Sequence, residues 1–133
     1  MLVHVLSVLA FIGVTFAVQG LSHFVLNKAH YDSVGILRSD IIMPLGFATM
    51  IIQGLVMSLV LQQWQGGSAT LQHGLLVAAA FGIFLGAYMA LTEAAKYDVP
   101  SIFAWIRTEV LSSTIQFAVF GLALGLIHRT FGT

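Results

Sequence analysis

The chain has 133 residues, 59% hydrophobic and only 8% charged, with five basic side chains against five acidic ones and no cysteine, whereas a soluble domain carries roughly 25% charged residues. That composition excludes a soluble globule and makes the lipid bilayer the expected surroundings, while the charge balance argues against nucleic acid and against a polybasic lipid-binding patch. The lack of cysteine removes disulfides, thiolate metal sites and cysteine nucleophiles.

A membrane-crossing helix needs roughly 20 mostly apolar residues, and four segments qualify: 2–26, 41–61, 71–91 and 110–128. The expected fold is an all-α membrane protein, a single domain over 1–133 with four transmembrane helices. The first segment opens M-L-V-H-V-L-S, without the positive start or small-residue cleavage pattern of a signal peptide, and reads as a retained span. Its histidines are His4 near one end and His23 near the other, with His30 just beyond.

A charged turn follows, N-K-A-H-Y-D-S-V-G-I-L-R-S-D from Asn27 to Asp40. The second span carries Met43, Met50 and Met57 at heptad spacing, a stripe suited to adaptable packing against one neighbour and less to a copper path, and Gln53 at mid-depth. An uncharged loop, 62–70, contains Gly66, Gly67 and an interfacial Trp64. The third span holds His73, Tyr88 and a Gly82-x-x-x-Gly86 motif, and the fourth holds Gln116, Gly121-x-x-x-Gly125 and His128. Paired small-residue motifs of this kind predict close packing of the third and fourth helices, or homodimerisation.

Between these two spans lies the second charged turn, E-A-A-K-Y-D-V-P-S-I-F-A-W-I-R-T-E from Glu93 to Glu109. Nine of the ten charges, all but Arg129, sit in the two turns. Tyr31-Asp32 is echoed by Tyr97-Asp98, and Arg38-Ser39-Asp40 by Arg107-Thr108-Glu109, which suggests two duplicated helical hairpins packed as a bundle. The echo needs a gap between its two halves. Pro100-Ser101 is also a helix start signal; if the fourth helix begins there, Arg107 and Glu109 enter the bundle, and otherwise 101–106 lies flat in the headgroup region.

The turns nominate an inner-face polar site of Asn27, Tyr31, Asp32, Arg38, Asp40, Glu93, Lys96, Tyr97, Asp98, Arg107 and Glu109. Asn27 with Tyr31, and Glu93 with Tyr97, share helical faces, and Glu93 can pair with Lys96. Such a cluster binds a zwitterion, conducts protons or neutralises itself as a structural network. Glu93, nearest the apolar run, stands out. His4, His73 and His128, near the opposite helix ends, are candidate ligands for haem or a metal. Their spacing matches no metal motif.

A glycine-rich third span ending in Tyr-Asp (G-I-F-L-G-A-Y-M-A-L-T-E-A-A-K-Y-D), after a first turn in which an aromatic and a glycine precede Arg-x-Asp, resembles uncharacterised bacterial four-helix membrane families. The resemblance implies a multi-pass protein of a bacterial plasma membrane and supplies no substrate or catalytic residue. Lysine and arginine asymmetry puts the charged turns in the cytoplasm and both termini outside. No phosphate loop, nucleophile elbow or metalloprotease helix is present, which points away from an enzyme. An enzyme acting on lipid or quinone would have to use Glu93, Tyr97, Arg107 and Glu109. The leading expectation is a subunit or accessory protein of a membrane assembly, homo-oligomeric or bound to another membrane protein. The alternatives are a small dimeric transporter or channel using the charged turns, and a haem or metal protein using the outer histidines.

Overall fold

The computed structural model describes residues 1–35 and 37–133. Among these, four helices are long and apolar enough to cross a membrane, Leu2–Leu26, Met43–Ser68, Leu71–Lys96 and Ile102–Phe131, and there is no strand. They form an all-α four-helix bundle, as expected of a multi-pass membrane protein. α1 covers Leu2–Leu21, the short α2 Lys28–Asp32, α3 Met43–Gln65, α4 Leu71–Ala87, the single turn α5 Glu93–Lys96, and α6 Ile102–Phe131.

Local chemistry sets the boundaries. Pro44 sits in the first turn of α3, where its missing N–H costs nothing, and Gly66 ends that helix at φ 52°, a conformation that favours glycine. The helix therefore runs past 61 through Gln62 and Trp64, which had been expected in the loop. α6 starts at Ile102, eight residues before Val110: the Ser101 hydroxyl accepts a hydrogen bond from the Ala104 N–H at 3.2 Å, an N-cap placed directly after Pro100. Residues 101–106 are thus the first turns of a helix and not a flat anchor, which carries Glu109 two turns inside. The third span is similarly prolonged, through a π-turn and α5, to Lys96.

Two π-helical turns interrupt the spans, Ser22–Leu26 after α1 and Tyr88–Thr92 after α4. They fall at matching places in the two hairpins, since the separation that relates Tyr31 to Tyr97 also relates Ser22 to Tyr88 and Leu26 to Thr92. A π-turn inserts one extra residue and upsets the backbone ladder, a feature frequent at functional sites. Here aromatic N–H groups meet the displaced carbonyls. His23 Nδ1 donates to Gln19 O at 2.9 Å, and Trp105 Nε1 donates to Met89 O at 3.0 Å.

α6 is the most buried of the four spans and packs along α4 and α1, while α1 also lies along α3. The α4–α6 contact is made by glycine, as expected, but the partners differ. A Cβ on Gly74 would run into the backbone of Gly121 and Gly125, and one on Gly125 would come within 2.7 Å of Leu71 Cα. Gly121 faces Ala78. Gly82 instead accommodates the Phe117 ring, and a Cβ on Gly86 would find Ser113 at an ordinary 3.6 Å. The groove of Gly121 and Gly125 is therefore filled by Gly74 and Ala78, eight residues earlier along α4 than the Gly82 motif. Phe11, Met50, Met57, Leu61, Phe117, Phe120 and Leu124 fill the centre; Met43, the first of the methionine stripe, is exposed.

Candidate functional site

At the charged end of the bundle one acidic side chain is withdrawn from the surface. Glu109 on α6 is 1% exposed and accepts a hydrogen bond from the hydroxyl of Tyr31, itself 4% exposed, on α2. The two hairpins thus contribute one member each. An isolated buried carboxylate is costly unless it is hydrogen-bonded or paired, and among the described residues the ion pairs are Lys28 with Asp32 at 2.5 Å and Arg38 with Asp40 at 2.8 Å, both exposed. Tyr31 is therefore the hydrogen-bond donor to Glu109, and no cation pairs with it.

Aromatic and polar groups enclose the pair. The His23 ring stacks on Tyr31 at 3.7 Å between centroids, tilted by 14°. Because the Gln19 carbonyl can only accept, His23 carries its hydrogen on Nδ1, which leaves Nε2 free for other work. Trp105, 4% exposed, lies edge-on to Tyr31 and Tyr97 at 6.1 Å each and against His30 at 5.5 Å. Burial, then the hydrogen bond to Glu109 and that group's charge, push the Tyr31 phenol well above its ordinary range, so it stays a donor. Burial, with the charges of His23 and Arg107 nearby, holds the His30 imidazole below its usual value. Glu93 is half-buried and close enough for its charge to be felt by both Glu109 and Tyr31. Asn27 braces the π-turn by donating from Nδ2 to Ser22 Oγ at 2.9 Å.

A polar seam leads inward from this site between α1 and α6. Gln19 Nε2 donates to Gln116 Oε1 at 2.7 Å, and Gln116 Nε2 donates to Thr15 Oγ1 at 2.9 Å. Ser112 and Ser113 line the same side of α6 and are buried. Above Thr15 the seam stops at a layer of three rings, with Phe11 at 6.0 Å from Phe117 and 4.8 Å from Phe120.

The eleven residues expected as one polar site do not converge. Tyr31 and Glu109 do, and Tyr31 and Tyr97 each lie edge-on to Trp105. Asp32, Arg38 and Asp40 satisfy one another or Lys28 at the surface, because short local pairs are available to them. Asp98 and Arg107 are exposed. Lys96 does not pair with Glu93; its ammonium donates to Tyr88 Oη at 2.9 Å, the π-turn having rotated Tyr88 into reach. The distinction of Glu93 over Glu109 is likewise reversed, since the early start of α6 buries Glu109 more deeply.

The outer histidines divide as well. His4 and His128 meet through Ser58, whereas His73 packs against Trp64 at 5.0 Å between centroids. Among the described residues no three His, Asp or Glu side chains come together as metal ligands. Ser58 and Thr15, the hydroxyls that tie these groups together, are single polar residues in apolar runs with no periodic signal. Compared with protein-family models, curated proteins and solved structures, the chain matches none.

Proposed function

We propose that the chain is a small protein that conducts protons across the membrane, in which Glu109 takes up and releases the proton and Tyr31 shapes its site. The observation that carries this reading is a carboxyl at 1% exposure within a membrane-crossing helix, met by a phenol and, among the described residues, by no cation. Ionisable groups inside membrane spans are costly and mark ion or proton pathways by default. Acidic side chains are almost never fully buried unless paired, and among the described residues the partner of Glu109 is a phenol.

The seam of Gln19, Gln116 and Thr15 supports a path, and the phenylalanine layer supports a closed state of it, because an unbroken polar passage would leak ions. We take the charged end to be cytoplasmic in a bacterial plasma membrane. Lys28, Arg38, Lys96 and Arg107 lie there against Arg129 at the other end, which sets the orientation, while the bacterial membrane follows from the sequence resemblance.

The test is proton movement by purified protein in liposomes carrying an internal pH dye. Wild type should dissipate an imposed pH step faster than protein-free vesicles, Glu109→Gln should return to their rate, and Tyr31→Phe should fall between. Wild-type flux equal to that of empty vesicles, or full flux from Glu109→Gln, removes the reading.

A second reading, a subunit of a larger assembly, is favoured by an apolar groove of about 630 Å³ between α4 and α6, lined among others by Ala79, Gly82, Ile83, Gly86 and Phe117. Gentle extraction yielding only a lone oligomer of this chain would dispose of it.

A further inference from the structure

At the end of the bundle away from Glu109, three helices are joined by a second chain of titratable groups. His4 Nδ1 lies 2.8 Å from Ser58 Oγ, and the same oxygen lies 2.8 Å from His128 Nε2. Ser58 and His128 are fully buried and His4 is partly exposed. Most of α6 separates His128 from Glu109, about 28 Å at 1.5 Å per residue.

We infer that His4, Ser58 and His128 form a proton relay serving the outer mouth of the path whose inner station is Glu109; the inference rests on the proton-conducting reading above. A serine hydroxyl has one hydrogen, so Ser58 donates to one imidazole and accepts from the other. When His4 is protonated, its Nδ1–H bond breaks as an O–H bond forms at Ser58, while the original Ser58 O–H breaks and an N–H forms at His128 Nε2. Ser58 is unchanged at the end, His4 has lost one proton, and His128 has gained one. His128 then carries N–H on both ring nitrogens, and a water entering the path takes the Nδ1 proton as base, that N–H bond breaking as an O–H bond forms on the water; the imidazole returns to its starting tautomer before the next transfer.

That Nδ1 is the second observation. It is buried and has no hydrogen-bond partner among the described residues. Leaving a buried polar atom unpaired costs about 1–3 kcal/mol, a cost that a purely structural clasp could avoid with an apolar side chain. Partly exposed His4 provides access from outside, and the phenylalanine layer lies inward of the trio. A metal is a poorer fit, since two imidazoles converge and His73 stands apart with Trp64.

The other titratable or charged groups at this end are the amino group of Met1 beside His4, His73 on α4, exposed Arg129 next to His128, and the carboxyl of Thr133. From α3 the neighbouring polar side chain is Gln62, which donates to Thr133 O.

The relay is tested on full-length protein in lipid bilayers, with nitrogen-labelled histidine followed by solid-state NMR across pH, and with the liposome assay in parallel. His4 and His128 should titrate as a coupled pair in wild type and separately in Ser58→Ala. Proton flux should fall about tenfold or more in Ser58→Ala and in His4→Gln. His4→Gln keeps the assay informative if Ser58→Ala fails to fold, since His4 is partly exposed. Independent titration of the two histidines in wild type overturns the relay. So does full flux from Ser58→Ala or His4→Gln alongside a silent Glu109→Gln, an outcome that leaves the reading of Glu109 standing. No flux from wild type overturns both.

Discussion

Tyr31 and Glu109, 78 positions apart, are joined by a phenol-to-carboxyl hydrogen bond that ties the first hairpin to the last helix. The contact is inter-hairpin, buried and free of counter-charge, so its two members should behave as a unit. Tyr31→Phe leaves a buried acceptor without its donor and should cost about 1–3 kcal/mol. Glu109→Gln retains an acceptor oxygen and should cost less. In a double-mutant cycle monitored by unfolding in detergent, the two changes should be non-additive by at least about 0.5 kcal/mol. Simple additivity would mean that the pair does not interact.

Alkaline pH probes the same contact. The Tyr31 phenol is held above its ordinary value of 10.0, mainly by burial and then by Glu109. A raised folded-state value means that the protonated phenol stabilises the fold fully below pH 10 and that this contribution is lost as pH rises beyond it. Thermal stability of wild type should therefore drop on alkalinisation past that point more steeply than that of Tyr31→Phe. Parallel curves would contradict the account.

His30 gives the opposite sign. Its folded-state value lies below 6.5 because the ring is partly withdrawn from water and feels His23 and Arg107. The stabilising contribution of the neutral ring is present above pH 6.5 and is lost as pH falls through that value. His30→Gln should flatten the acid limb of the stability profile; an unchanged limb would show that the ring is solvated.

Glycine separates two motifs that look alike. Gly74→Ala and Gly125→Ala drive a methyl group into facing backbone and should destabilise the α4–α6 contact by about 3 kcal/mol or more, in the overpacking range. Gly86→Ala meets Ser113 at 3.6 Å and should be nearly neutral. Unfolding midpoints of the three variants give the comparison, and a Gly86→Ala as damaging as Gly74→Ala would refute the helix register.

The four spans, the clustering of charge at one end and the close approach of the last two helices were legible because each rests on local composition: apolar length, charge depletion and small residues. The Tyr31–Glu109 pair was not, because it depends on where α6 begins and how α2 folds under it. Pro100-Ser101 carries the relevant signal, a helix start that places Glu109 inside the bundle. The outer trio escaped for a different reason: a lone Ser58 among apolar residues has no period to mark its facing direction. His73, by contrast, shares only its depth with His4 and His128, and depth does not fix the side of a helix. The π-turns leave no sequence signature, yet their matching positions agree with the Tyr-Asp echo that suggested duplicated hairpins.

The most direct test of Glu109 as the proton-carrying group is infrared difference spectroscopy of the protein in bilayers while external pH is stepped. The account predicts a carboxyl carbonyl band that appears and disappears reversibly with pH and is missing from Glu109→Gln. A wild-type difference spectrum without such a band, or one left unaltered by Glu109→Gln, would contradict it.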